Sequence, residues 1–569
     1  MLADLNLSTS LLYCLATFLT LYAITNFNSI RRGLFPSKQS KLPRSFPLIG
    51  SYLSLIKHIH HFSDWSATIV NSQPSSTFIL HRALGQRMVI TANPANVEHI
   101  LKTNFHVYQK GTSVTALAYD FLGRGIFNVD GDWWKFQRQV ASHEFKTKSL
   151  RNFVETVVDT ELSNRLLPLM KNAAVEEIVL DFQDILFRFA FDNICNIAFG
   201  YDPEYLLPSL PEAKFAVAFE NTTMLITKRF RQISPLVWKI LKFFNTGFEK
   251  ELKNSVEEVR EFARKVLREK KKELDEKSEL QTDDLLSRFL SSGHSDEVFV
   301  IDIVISFILA GRDTTSAALT WFFYLIANHP DAESKILAEI NDKNFEKNSE
   351  SSAYNEVKDM MYTHAALCES MRLYPPVPTD GKQVMEDDVM PDGTRVYKND
   401  RVIYHPYAMG RSEKLWGSDW REFRPERWLE RDGVTGKWCF IGRDQYSYPV
   451  FQAGPRVCLG KEMAFLQMKR VVARVLPAFR VIPVIEEGTE PVYTAYLTAK
   501  MHGGVGKSSW PELLGAKGEA AAAIISANNP TLRVQIIEEG MVVTQEFRCN
   551  RVRVWVNKFG IVTLVPRLG

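Results

Sequence analysis

Paired cysteines are the first thing this sequence lacks. Six cysteines stand at positions 14, 195, 368, 439, 458 and 549 of 569 residues, and none has C-x-x-C spacing. That excludes a zinc-ribbon pattern and a disulfide framework, and it points to a reducing compartment. A charge excess of one sign is also missing. The net charge of +3 is too small to draw a polyanion, and no basic patch with interleaved aromatics occurs, so nucleic acid is excluded as a partner. A glycine-rich dinucleotide fingerprint is absent as well. What the chain has in quantity is apolar surface: 45% hydrophobic residues, with 37 Phe among its 12% aromatics. Such a composition predicts large globular cores, room for more than one domain and an apolar ligand.

Long uncharged runs are rare, and the clearest one opens the chain. No charged residue lies between Asp4 and Arg31, and Leu11 to Ile24 is apolar apart from Thr17 and Thr20. A signal peptide would need a basic start and a small-x-small cleavage site, and neither is present. Arg31, Arg32, Lys38, Lys41 and Arg44 follow, so residues 1–30 read as a retained single membrane anchor with the remainder in the cytosol. Residues 31–60, with Pro36, Pro43 and Pro47, read as a stiff connector. From Phe62 to Lys110, short apolar runs (Thr77 to His81, Met88 to Thr91) alternate with Pro- and Asn-rich breaks and predict a small sheet. Helical periodicity dominates from Leu150 to Ile340, and the alternating charges of Arg260 to Lys277 predict a solvated helix face.

Phe451 to Gly460 reads FQAGPRVCLG. It sets Cys458 between a Gly/Pro-bent loop and a helical pattern, where a thiolate gains from the helix N-terminus and from Arg456. Gly454 permits a tight turn, and Gly460 leaves the backbone open to something large and flat. The segment resembles the haem-binding signature of cytochrome P-450 enzymes, F-x-x-G-x-R-x-C-x-G, at every fixed position. The resemblance implies a mainly α fold with small β-sheets over residues 61–504, haem b as cofactor and Cys458 as its iron ligand. It also implies Arg456 on a propionate, with Phe451, Gly454 and Gly460 shaping the loop. Trp134 and Arg138, four apart on one helical face, match the family's W-x-x-x-R propionate contact.

Val298 to Ala327 is apolar on nearly all sides, which predicts a buried helix. Inside it, Ala310-Gly311-Arg312-Asp313-Thr314-Thr315 is poor helix design, and such local violations mark function. A threonine that bonds back one turn opens the helix. The stretch matches the family's oxygen-activation motif and implies that Asp313 and Thr314 deliver protons, while Arg312 and Thr315 receive only packing and solvation. Glu369, Arg372 and Arg427 match its E-x-x-R and P-E-R elements and imply a structural triad. Longer segments, such as residues 362–380 and 446–470, resemble the plant fatty-acid omega-hydroxylase branch. That likeness implies Phe307, Ala310, Val377, Pro378, Ala495 and Leu497 as substrate contacts. It also implies electrons from NADPH-cytochrome P-450 reductase, O2 as co-substrate and an endoplasmic reticulum membrane location. The alternative is oxidation of jasmonoyl-isoleucine or another fatty-acid derivative.

After Lys500 an expected closing apolar strand of the last hairpin does not come. Instead the sequence predicts an alanine-rich helix (Glu519 to Ala527), strands at Leu532 to Ile537 and Val552 to Val556, a turn at Asn557 to Gly560, and a last apolar stretch, Val562 to Val565. Residues 505–569 resemble the potato inhibitor I family, a small α+β domain that inhibits serine proteases. By that pattern the scissile bond is Gln545–Glu546, and Arg551 and Arg553 reach back to Thr544 and Glu546 to stiffen the loop. The junction with the larger unit reads either as a true fusion or as a joined gene model.

Overall fold

The computed structural model describes residues 42–46, 48–145, 147–210, 214–276, 284–292, 296–342, 353–433, 438–484, 491–502, 510, 513–528, 532–541 and 551–568. The predicted anchor at 1–30 and the inhibitor residues Thr544, Gln545 and Glu546 lie outside them. Among the described residues no helix is long and apolar enough to cross a membrane.

The early sheet forms where alternation placed it. Strands β1 (Thr77–His81) and β2 (Arg87–Thr91) pair antiparallel. They are extended by residues far along the chain, so that the five-stranded sheet runs β1-β2-β5-β4-β3, with β3 Tyr108–Gln109, β4 Asp380–Val384 and β5 Arg401–Tyr404. β2 and β5 run parallel, and β4 is antiparallel to both β5 and β3. No local pattern announces this pairing.

Helices make up most of the remainder: α1 (Gly131–Ala141), α2 (Phe182–Phe199), α3 (Lys214–Arg231), α4 (Gly247–Glu276), α5 (Glu297–Ile308), α6 (Thr314–Ala327), α7 (Met361–Leu373) and α8 (Lys461–Val475). The predicted buried helix is α5 plus α6, and its all-round apolarity has a direct cause. Ile303 and Phe307 pack in one apolar cluster, Leu319 and Phe322 in a second, and Trp321 in a third. The charged run of α4 is mostly solvated, but Arg260 turns inward to bind buried Asp302 at 2.7 Å.

Near the end of the larger unit, β6 (Val492–Ala495) and β7 (Ala499–His502) form a two-stranded sheet, and among the described residues no third strand joins it. The C-terminal segment then builds a core of its own from Trp510, Leu513, Ile525, Val552, Val554 and Val562. Helix α9 (Gly518–Asn528) packs on parallel strands β8 (Arg533–Glu538) and β9 (Arg551–Val556), and β10 (Arg567–Leu568) pairs antiparallel with β9.

Candidate active site

The Cys458 loop is held by backbone geometry. Gly454 sits at φ +62°, and a Cβ there would meet the Leu101 carbonyl oxygen at 2.1 Å, so a side chain is excluded twice over. The Cys458 amide then donates to the Phe451 carbonyl at 2.8 Å, and α8 starts at Lys461. At Gly460 an added Cβ would make ordinary contact with Phe145 at 3.5 Å and with the Cys458 sulfur at 4.0 Å, and the residue lines the cavity.

Cys458 opens onto an internal cavity of about 280 Å³ that it shares with Gly460, Phe307, Ala310, Thr314 and Val377. Pro378, Ala495 and Leu497 are not among the walls of this cavity. The Pro378 carbonyl accepts the Tyr407 amide at 3.2 Å, while Leu497 packs against the α5 cluster and Ala495 beside the sheet. Burial pushes the Cys458 thiol up, against the Gly460 amide, Arg138 and Lys461, which favour the thiolate. The cations that favour the thiolate are therefore Arg138 and Lys461, not Arg456. Arg456 turns aside to donate to Asp130 (2.7 Å) and the Val129 carbonyl (2.9 Å), stacked on Trp134.

Opposite the loop, the helix opens. Leu309–Asp313 is a π-turn between α5 and α6, and the Thr314 hydroxyl donates back to the Ala310 carbonyl at 2.6 Å. Gly311 is required by the neighbouring helix, since a Cβ there would meet Ile194 at 2.5 Å. Asp313 is buried, and burial raises its pKa against the pull of Arg312 and Lys500. Its partners are Arg312 at 3.0 Å and the Thr498 hydroxyl at 3.3 Å. The packing role expected for Arg312 is thus only half of it: the buried guanidinium lies against Phe187 and Phe219 and also neutralises Asp313. Thr315 is buried on the cavity wall.

Below the site, Glu369 is fully buried and saturated. Arg372 binds it bidentately at 2.8 Å twice, Arg427 at 3.2 Å, the Trp428 indole at 3.0 Å and the Arg424 amide at 3.0 Å. A carboxylate so enclosed locks α7 to the Pro425–Trp428 turn, because losing one partner strands a buried charge. The structure brings the three predicted residues together.

Sequence reasoning missed the rest of the polar rim. Lys110 and Lys382 reach it from either side of Asp380, at 2.7 and 3.3 Å. Burial would raise the Asp380 pKa, but Lys110 and Lys382 override it and hold it well below the carboxylate range. Burial pushes Lys382 down to about 7 in spite of Asp380. A lysine at a buried position of a strand was the available signal. Lys110, Lys382, Arg138, Arg456 and the carboxylate of Asp380 line one cavity, and Arg456 is also paired to Asp130 at 2.7 Å. The excess of basic groups suits the two propionates of a haem, and the cavity-lining Gly460 and the thiol of Cys458 suit a flat macrocycle with a sulfur ligand. The residues present fit the group.

The family comparisons agree with this geometry. The model for Cytochrome P450 matches residues 41–501, and that for the Potato inhibitor I family matches residues 502–569. Cytochrome P450 94A1 and Cytochrome P450 94A2, both of Vicia sativa, are each 62% identical to this chain. The first aligns over 463 residues (81% of this chain, 89% of the relative) and the second over 466 (81% and 90%). Cytochrome P450 94B1 of Arabidopsis thaliana is 45% identical over 499 residues, 86% of this chain and 96% of its own. The chain belongs to the cytochrome P450 family. It is a haem-iron monooxygenase that takes O2 and electrons from a redox partner, and it carries a potato inhibitor I segment at its C-terminal end.

Proposed function

We propose that residues 61–504 hydroxylate the omega or a near-terminal carbon of fatty acids, at the endoplasmic reticulum membrane, with electrons from NADPH-cytochrome P-450 reductase. Residues 1–30 serve as the anchor and 31–60 as the connector, part of which the family match already includes. The observation that carries the reading is the cavity at Cys458, whose walls include Phe307, Ala310 and Val377: an apolar stretch beside the thiol suits an alkyl terminus better than a polar one. Bound haem supplies O2 activation, so that the alkane terminus, O2, two electrons and two protons give the alcohol and water.

The chain's own residues bind, orient and supply protons. Cys458 holds the iron; Arg456, Trp134, Arg138, Lys110 and Lys382 hold the propionates. Phe451, Gly454 and Gly460 keep the loop in shape, and Pro378, Ala495 and Leu497 lie further along the path of the chain. Thr314, bonded to Ala310, and Asp313, poised between Arg312 and Thr498, pass protons inward through the opened turn. The test is reconstitution of the full chain with plant reductase, NADPH and C12–C18 fatty acids. Terminal hydroxylation is expected, with Cys458→Ala losing both product and the reduced-CO spectrum; only internal hydroxylation would refute the omega assignment.

The C-terminal domain, residues 505–569, is read as a serine-protease inhibitor cleaved slowly at Gln545–Glu546. Arg551 and Arg553, at the start of β9, brace Thr544 and Glu546. What supports this is the independent core of that segment, together with the arginines' place on a fixed strand. A rigid loop binds like substrate but loses little entropy. Residues 506–569 expressed alone should inhibit at least one of a panel of serine proteases, and inhibition of none would remove the reading.

A further inference from the structure

A lysine is buried near the end of the larger unit, on the side of β7 that faces the helices. Ala499 and Met501 pack with the sheet cluster, so Lys500 between them points the other way, and it is only 5% exposed. A buried ammonium is unfavourable unless it is paired, and its partner is Glu220 of α3. The carboxylate is the outer member of the pair: its side chain is 41% exposed, against 6% for the lysine. Lys500 Nζ also lies 4.9 Å from the centroid of the Phe187 ring, and the Arg312 guanidinium carbon lies 4.8 Å from the same centroid. One ring of α2 thus receives two cations.

Two cations at one ring repel each other unless anions stand with them. Asp313 supplies one. Its Oδ1 accepts from Arg312 at 3.0 Å, and its Oδ2 accepts from the Thr498 hydroxyl at 3.3 Å. Both oxygens are therefore held, one from its own turn and one from the hairpin, 185 residues further along. The charges of Arg312 and Lys500 favour the ionised form of Asp313, and that of Glu220 opposes it. The register of β7 is fixed from two further sides. Gln183 of α2 grips Met501 at both its amide (2.9 Å) and its carbonyl (3.0 Å), and the Ala499 amide donates to the Pro376 carbonyl at 2.8 Å. A one-residue slip would exchange the two polar side chains for apolar ones.

We infer that Thr498 and Lys500 are positioning residues for Asp313, setting the direction and the charge of its carboxyl group, with Glu220 as the outer anchor of Lys500. This rests on the proton-delivering role read for Asp313 and extends it beyond the opened helix to the last hairpin of the larger unit. Neither Thr498 nor Lys500 is among the walls of the Cys458 cavity, so both act through Asp313 and not on substrate.

Two measurements on the full-length, haem-loaded protein test it. With plant reductase, NADPH and dodecanoate, Lys500→Met and Thr498→Val are each expected to lower kcat about ten-fold, a part of what general acid catalysis contributes. KM should stay as in wild type, and Lys500→Arg should regain most of the loss. Thermal melting from pH 4 to pH 8 needs no turnover. Burial raises the Asp313 pKa above its ordinary 3.8, so stability tied to this group is complete below that pH and falls as pH rises through the folded-state value. Thr498 and Lys500 limit the fall. Removing either should widen the melting-temperature gap to wild type as pH rises, by a few degrees. In an Asp313→Asn chain the widening should vanish for Thr498→Val and shrink to the share of Glu220 for Lys500→Met. A raised KM with kcat unchanged, no recovery in Lys500→Arg, or equal widening with and without Asp313 would each overturn the assignment. If the wild-type protein leaves dodecanoate untouched, the fatty-acid reading fails, and the melting series alone decides the role of Thr498 and Lys500.

Discussion

Glu161 and Glu369 are both buried carboxylates, and their surroundings give them opposite fates. Every lone pair of Glu369 that matters has a donor from Arg372, Arg427, Trp428 or the Arg424 amide. Glu161 has Arg165 at 3.0 Å on one oxygen, and its other oxygen is buried without a partner. Arg165 is moreover shared with Asp192 at 3.5 Å and held bidentately by Asp202. Burial and the charge of Asp192 push Glu161 up to about 8, with Arg165 pulling the other way. A folded-state pKa above the ordinary 4.5 means that the folded chain keeps a proton the unfolded chain releases. Stability from this group is complete below pH 4.5 and is lost as pH rises toward 8. Glu161→Gln does not titrate, so its melting temperature relative to wild type should rise by a few degrees between pH 5 and pH 8. A difference that stays constant over that window would show that Glu161 is ionised in the fold.

At the scale of elements, the opened helix shows how a sequence irregularity becomes a working part. Gly311, Asp313 and Thr314 weaken the regular helix, and the chain answers with the π-turn Leu309–Asp313 seated against Ile194 of α2. Gly311→Val should force α2 and the turn apart at about 1–3 kcal/mol and lower turnover. Gly433→Ala, where a Cβ meets nothing within 4 Å, should leave the melting temperature unchanged; equal effects would mean that the close approach carries no stability. This turn, the Cys458 loop and strands β1 and β2 were legible because each is written in consecutive residues: a broken helix period, a fixed spacing and an alternation. Lys110 and Lys382 were not, since the groups that define the rim are far apart in sequence and meet only through the β3–β4–β5 pairing. The Arg456–Asp130 pair was hidden as well, because Asp130 comes from just before α1. Local pattern sets what a residue can do, and strand pairing decides whom it meets.

At the scale of the whole molecule, two families abut without a gap, one matched to residue 501 and the other from 502. Each part has its own core: the C-terminal cluster from Trp510 to Val562 contains only residues of the inhibitor segment. The preceding hairpin, β6 with β7, stays two-stranded among the described residues, and Ile482 and Val484 just before it are exposed at 71% and 77%. The junction between the two matched families falls directly after this hairpin. That makes physical continuity of the chain the decisive question for the whole architecture. Trypsin cuts after Lys500 and after Lys507, releasing Met501-His502-Gly503-Gly504-Val505-Gly506-Lys507, a peptide that neither family alone would yield. Mass spectrometry of membrane digests from the source tissue should recover it alongside peptides of residues 61–500, which would place a protease inhibitor on the same membrane-bound chain as the oxidase. Repeated recovery of peptides from both sides without this one would mean two separate proteins.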